Sequence, residues 1–168
     1  DRNTESWWQQ FTGEAVVGKL RGKKLKTVPS KLQSWEAYID QHGENAAVMQ
    51  EPKGYSRAYG NNPYVGYDTL RKPWLYFGAP PSSGRPMMAR IVRVEDRAWP
   101  MSRVVDAGSL TEEGIKLSWR EGQASALDTR SIASGREVGN IEVHDAATGQ
   151  PLTHEVTFAF VFQAFKPD

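Results

Sequence analysis

The sequence predicts an α+β fold that is β-rich, with antiparallel or mixed sheets, two or three short helices and a long aromatic loop wrapped over them. Three observations predict it. Segments that alternate apolar and polar residues outnumber segments with a three-to-four-residue apolar repeat, and the two kinds are not regularly interleaved as a parallel sheet requires. Residues 51–86 carry proline, glycine, asparagine and tyrosine so densely that they read as ordered loop.

Composition bounds the class. The 168 residues are 39% hydrophobic, 11% aromatic and 24% charged, which excludes disordered, collagenous and coiled-coil chains. Such a length suits one domain, or two halves sharing a core. Lys and Arg number 21 against 20 Asp and Glu, so no net field favours nucleic acid. No apolar run approaches a membrane span. Cysteine is absent, which removes disulfides, thiol nucleophiles and thiolate metal sites from this sequence.

Along the chain, Asp1 to Thr4 reads as a turn and Ser6 to Phe11 as a strand with Trp7 and Trp8 on opposite sides. A start of this kind resembles the interior of a longer polypeptide. Thr12 to Glu14 turns into a strand at Ala15 to Val17, and Gly18 and Gly22 bracket a reversal before Leu25 to Val28. Six basic residues and no acidic one lie between Gly18 and Lys31. Lysines that keep an exposed edge from pairing explain them better than anion binding does. A helix is expected over residues 30–43, with Ser30 as N-cap, Gln33 completing a capping box, and Leu32, Trp35, Tyr38 and Ile39 as its apolar stripe. Gly43 stops it, and His42 is a helix-end residue.

Ala46 to Met49 reads as a short strand. The following loop carries Tyr55, Tyr59, Tyr64, Tyr67, Trp74, Tyr76 and Phe77, and so much aromatic area should pack on the body. Met88 to Val94 alternates as a strand, Arg97 to Met101 follows it, and Ile115 to Arg120 and Ile141 to His144 are further strands. Ala126 to Asp128 begins a short element that Gly135 ends. Thr157 to Phe162 alternates like a strand, yet Phe158, Phe162 and Phe165 fit helical spacing, with Pro167 as a stop; the helix is preferred.

Tests for chemistry return little. His42, His144 and His154 show no metal-ligand spacing, and hydrolase elbows, phosphate loops and dinucleotide fingerprints are missing. Gly122-Gln123-Ala124-Ser125 comes nearest to an elbow but lacks the second glycine, so Ser125 is disfavoured as a nucleophile. The pairs Glu112 with Glu113 and Glu95 with Asp96 read as solvated turns. Glu14, after two tryptophans, is a candidate pocket group against the simpler reading of an exposed turn acid. Gln9, Gln10, Gln123 and Asp128 adjoin expected core aromatics and would need partners if buried, whether in an ordinary core or in a ligand cleft.

Several stretches carry a family likeness: Asp1 to Gln10 with Gly13-Glu14-Ala15, Tyr59 to Asp68, Arg97 to Pro100, Ser118-Trp119 with Gly122 to Asp128, Gly135 to Gly139, and Phe158 to Phe160 with Phe165 to Pro167. In that order they resemble the bacterial and archaeal family called domain of unknown function 3179. The resemblance implies an exported protein, periplasmic or extracellular, of which this chain is the C-terminal portion. It also implies an upstream block with a Cys-Pro-Leu-Cys motif, in the same protein or a companion chain, that this sequence lacks.

The family further looks internally repeated. Leu117 to Asp128 resembles a cysteine-free copy of that motif's surroundings, and Gln33 to Gly43 and Thr157 to Pro167 look like paired helical pieces. On this expectation residues 1–50 end a first half, 51–86 wrap, and 87–168 form a second half, all within one domain. The leading functional expectation is a ligand-binding or structural module of the cell envelope. Its candidate pocket is Trp7, Trp8, Gln9, Glu14, Tyr64, Tyr67, Trp99 and Gln123. No cofactor, catalytic residue, metal ligand, nucleic acid or membrane span is expected. The alternative is the C-terminal part of a thiol- or metal-dependent envelope enzyme, and a third possibility is an interaction module using the lysine hairpin.

Overall fold

The computed structural model describes residues 1–50, 54, 56 and 58–165. Tyr55 and the stop at Pro167 lie outside the described residues. Among the described residues eight strands form three antiparallel sheets, accompanied by three short helices, so the fold is α+β and β-rich.

The first sheet is a ribbon of β1 (Trp7–Gln9) and β2 (Glu14–Val17). Trp7 is exposed and Trp8 half-buried, as adjacent strand residues must be when one face rests on the body. The reversal at Gly18 to Gly22 forms, but Leu25 to Val28 makes no strand. Only a bridge from Lys24 to Glu14 remains, because Leu25 and Val28 are exposed and have no apolar face to rest on.

Helix α1 spans Trp35–His42, shorter than the 30–43 the capping pattern predicts. Ser34, not Ser30, is the N-cap: its Oγ accepts from the Ala37 N–H at 3.2 Å, while its own N–H donates to Asn140 Oδ1 at 3.1 Å. That second bond ties the cap to a residue more than a hundred positions away and fixes where the helix begins. The expected stripe is only partly covered, since Leu32 and Trp35 are exposed and Ala37 is the helix's buried residue. Gly43 ends the helix with φ 53°, as predicted. Ala46 to Met49 forms no strand, and Met49 is 93% exposed.

The second sheet has the order β4 (Arg97–Pro100), β3 (Arg90–Val94), β8 (Glu155–Phe158). A two-residue turn at Glu95-Asp96 joins β3 to β4, in register from Ile91 with Pro100 to Val94 with Arg97. The third sheet has the order β5 (Ser109–Glu112), β6 (Ile115–Arg120), β7 (Asn140–Asp145). Its β5–β6 turn is Glu113-Gly114, both with positive φ, the twist a two-residue hairpin prefers. Helix α2 (Met101–Ala107) links the two sheets.

Between these two sheets and α2 lies one apolar cluster that includes Val92, Val94, Trp99, Met101, Val104, Ile115, Leu117, Ile141 and Val143. Trp99 is buried here, and its indole N–H donates to Glu112 Oε2 at 3.0 Å. The ambiguous last segment is both of its readings in succession: β8 pairs with β3, then α3 (Ala159–Phe165) follows. The 51–86 loop has no strand among its described residues and one 3-10 turn at Tyr67–Thr69. Its packing is uneven. Tyr67 is half-buried against Trp74 and Phe158, whereas Phe77 is 93% exposed.

Candidate functional site

Three loops converge beside the start of β3. Residues 60–66 are laced to residues 128–132 by backbone bonds from Asn62 N–H to Arg130 C=O (2.8 Å), Gly66 N–H to Asp128 C=O (2.7 Å) and Ile132 N–H to Gly60 C=O (2.9 Å). The Asn62 side chain adds a bond to Thr129 C=O at 3.2 Å. Residues 123–125 pair with 136–138 through Ser125 N–H to Arg136 C=O (2.8 Å) and Val138 N–H to Gln123 C=O (2.9 Å). Glycine at 135 permits this approach, because a Cβ there would stand 2.4 Å from Ser125 O.

At the convergence is Asp68, whose side chain is 0% exposed. Its Oδ2 accepts from Ser125 Oγ at 2.6 Å and from Arg90 Nη2 at 2.7 Å. Arg136 faces the same carboxylate with Nη1 donating to Oδ1 at 3.1 Å and Nη2 2.8 Å from Oδ2. Asp128 accepts the Arg136 N–H at 2.7 Å and holds that side chain from the other side. Burial alone would raise the Asp68 pKa. The Ser125 and Arg90 hydrogen bonds and the charges of Arg136 and Arg90 outweigh it and hold the carboxyl below its ordinary value. This network is a buried carboxylate satisfied from several sides, the condition under which a buried charge is tolerated.

The same geometry removes Ser125 from nucleophilic chemistry. Its proton goes to Asp68, and its oxygen accepts from Arg90 Nη2 at 3.0 Å and from Leu127 N–H at 3.2 Å, filling a hydroxyl's capacity.

Arg90 reaches this network from β3 while its guanidinium lies 5.5 Å from the Phe158 ring centroid on β8. Both bonds to Asp68 and Ser125 leave from Nη2. Its Nε is buried with no partner, as is Gln123 Oε1; these are the unpartnered buried side-chain atoms among the described residues. Both residues line a cavity of about 240 Å³ that Met101, Val138 and His154 also line. On the other side Arg90, Met101 and Val138 line a second cavity of about 430 Å³, together with Arg85, Ala89 and Arg136. Arg90 therefore stands at the junction of two clefts. Cavities of about 380 Å³ beside His144 and His154, and of about 460 Å³ beside Phe11 and Arg93, lie elsewhere. Among the described residues no group of three or more His, Cys, Asp or Glu is placed to hold a metal ion, and no helix is long and apolar enough to cross a membrane.

A family model described as "Protein of unknown function (DUF3179)" matches residues 1–168. The chain belongs to that family. No curated protein and no solved structure matches it.

Three of the stretches that carry the resemblance to DUF3179 are the ones that converge on the buried carboxylate: Tyr59 to Asp68, Gly122 to Asp128 and Gly135 to Gly139. The eight residues expected to line the pocket fall in four places. Trp7, Trp8, Gln9 and Glu14 share the N-terminal ribbon, where Gln9 Oε1 accepts from Thr12 N–H at 2.8 Å and Glu14 lies 3.9 Å from Lys24 Nζ. Tyr64 and Tyr67 sit edge to face in the loop, with ring centroids 6.4 Å apart. Trp99 is in the core, and Gln123 is at the cleft. Sequence reasoning passed over Asp68, Arg90, Arg136 and Arg85 in this DUF3179 chain. Asp68 lies 22 residues from Arg90 and 68 from Arg136 along the chain, so no local spacing signals the cluster.

Proposed function

We propose that the chain is a small-molecule-binding module of the cell envelope whose site is the cleft between the two three-stranded sheets, centred on Arg90. One observation carries this reading: Arg90, anchored to Asp68 and Ser125 through one nitrogen, lines two cavities at once and keeps a buried Nε without a partner. Most buried polar atoms in native folds are hydrogen-bonded, so an open donor on a residue lining two cavities singles Arg90 out. The larger cavity, about 430 Å³, falls in the range of small-ligand sites, and apolar Met101 and Val138 beside a few polar groups are their ordinary composition. Export rests on the family resemblance, as does the companion block. In that setting exposed Trp7, Leu32, Trp35, Met49 and Phe77 are apolar surface for the rest of a larger unit to cover.

The test is a fragment screen read by amide NMR on the 168-residue chain. Binders should move the amides of Ala89, Arg90, Met101 and Val138, and Val105→Trp, at an exposed position lining the same cavity, should abolish those shifts without lowering the melting temperature. Binders that move only amides remote from the cleft, or an absence of binders, would leave the structural-module reading in its place. The enzyme reading draws on cysteines that this sequence does not contain.

A further inference from the structure

The charge around the larger cleft is specific enough to name a ligand chemistry, an inference that rests on the cleft being the binding site. Arg85, Arg90 and Arg136 all line it. Arg136 is committed to Asp68 and Asp128, and Arg90 is half-committed through Nη2. Arg85 is exposed and makes no ion pair or hydrogen bond among the described residues. The acidic side chain on the same wall, Glu137, is turned away from the space: its oxygens accept the Gly122 N–H at 3.1 Å and the Gln123 N–H at 3.0 Å. Burial alone would raise the Glu137 pKa, but these backbone donors, with those of Gly139 and Val138, hold it below its ordinary value.

Electrostatically, then, three guanidinium groups line the cleft against the single carboxylate of Glu137, whose oxygens are turned to backbone donors. Apart from Ser102 the cleft's remaining wall is apolar and includes Met88, Pro100, Met101, Val105, Trp119 and Val138. The Trp119 indole N–H is already given to Val138 C=O at 3.0 Å, so that ring presents hydrocarbon rather than a donor. Guanidinium groups and an aliphatic and aromatic wall in one cleft match a molecule with an oxyanion head and an apolar body.

We propose that the cleft binds an apolar carboxylic acid in its ionised form, with the carboxylate at Arg85 and Arg90 and the hydrocarbon along Met101, Val105 and Val138. Planar carboxylate suits a guanidinium fork, and the arginines lining the cleft outnumber its one carboxylate, Glu137.

The experiment uses octanoate and its neutral counterpart octanamide, each titrated into the 168-residue chain with amide NMR as the readout, and repeated on Arg85→Gln. Arg85 is chosen because it has no partner to lose among the described residues, whereas Arg90 holds Asp68. The expected result is that octanoate shifts the Ala89, Arg90, Met101 and Val138 amides, that octanamide binds there about tenfold more weakly, and that Arg85→Gln weakens octanoate severalfold while leaving octanamide unchanged. Equal binding of the two compounds, indifferent to Arg85→Gln, would overturn the carboxylate assignment and leave the cleft as a neutral-ligand site. Shifts confined to the exposed apolar residues, or none, would overturn the assignment and the cleft reading together.

Discussion

Replacing Asp68 by asparagine is the most informative single change to the buried network. Asparagine keeps the volume but removes the charge, so Arg90 and Arg136 lose the carboxylate they share, and one remaining oxygen cannot serve both Ser125 Oγ and Arg136 Nη1. Breaking a buried ion pair by removing one partner costs roughly 3–5 kcal/mol. The low end applies here, because the Arg136 side chain is 41% exposed and water rehydrates it, whereas Arg90 is only 22% exposed. The expected loss is thus about 3 kcal/mol at neutral pH, a fall of about 1.5 M in the urea midpoint for a slope of about 2 kcal/mol/M. The pH dependence has a fixed sign. Asp68 has its pKa depressed below the ordinary 3.8, so its contribution is complete above that value and is lost as the pH falls through the lower folded value. The gap between wild type and Asp68→Asn should therefore be widest near neutrality and shrink in acid. Urea titrations at pH 7 and at successively lower pH measure both quantities. Equal midpoints at pH 7, or a gap that widens in acid, would refute the reasoning.

Other consequences are local. Gly139→Ala would put a Cβ 1.8 Å from Trp119 Nε1 at φ 76°, so the melting temperature should fall by an amount equivalent to about 2 kcal/mol or more; an unchanged melt contradicts the geometry. Ser34→Ala should cost about 1 kcal/mol and speed exchange of the Ala37 amide, whereas Ser30→Ala should do neither. A hydrophobic dye should fluoresce with the folded 168-residue chain, and replacing Leu32, Trp35, Met49 and Phe77 by serine should dim it; a silent dye would deny that these side chains form accessible apolar surface.

Much of the fold is legible in the sequence where burial is one-sided and locally periodic. Ile115 to Arg120 and Ile141 to His144 alternate, and both are strands; Gly43 ends a helix because only glycine tolerates that backbone. Legibility fails where an element is short or is fixed by distant partners. Helix α2 has seven residues, with only Met101 and Val104 buried, too few to establish a period, and β5 has four. The start of α1 is set by Asn140, more than a hundred residues away, which no capping pattern near Ser30 reveals. The site is hidden for the same reason. Gln123 and Asp128 were visible as polar residues beside aromatics, but Asp68 looked like any loop acid and Arg90 like any polar position on an alternating strand. Only the packing of three loops against β3 makes them a unit.

A crystal structure of the chain grown with octanoate measures the central claim most directly. Density for the carboxylate within hydrogen-bond distance of the Arg85 and Arg90 guanidinium groups, with the hydrocarbon lying along Met101, Val105 and Val138, is the expected result. A cleft left empty while octanoate occupies only the exposed surface at Leu32 and Trp35 would contradict it.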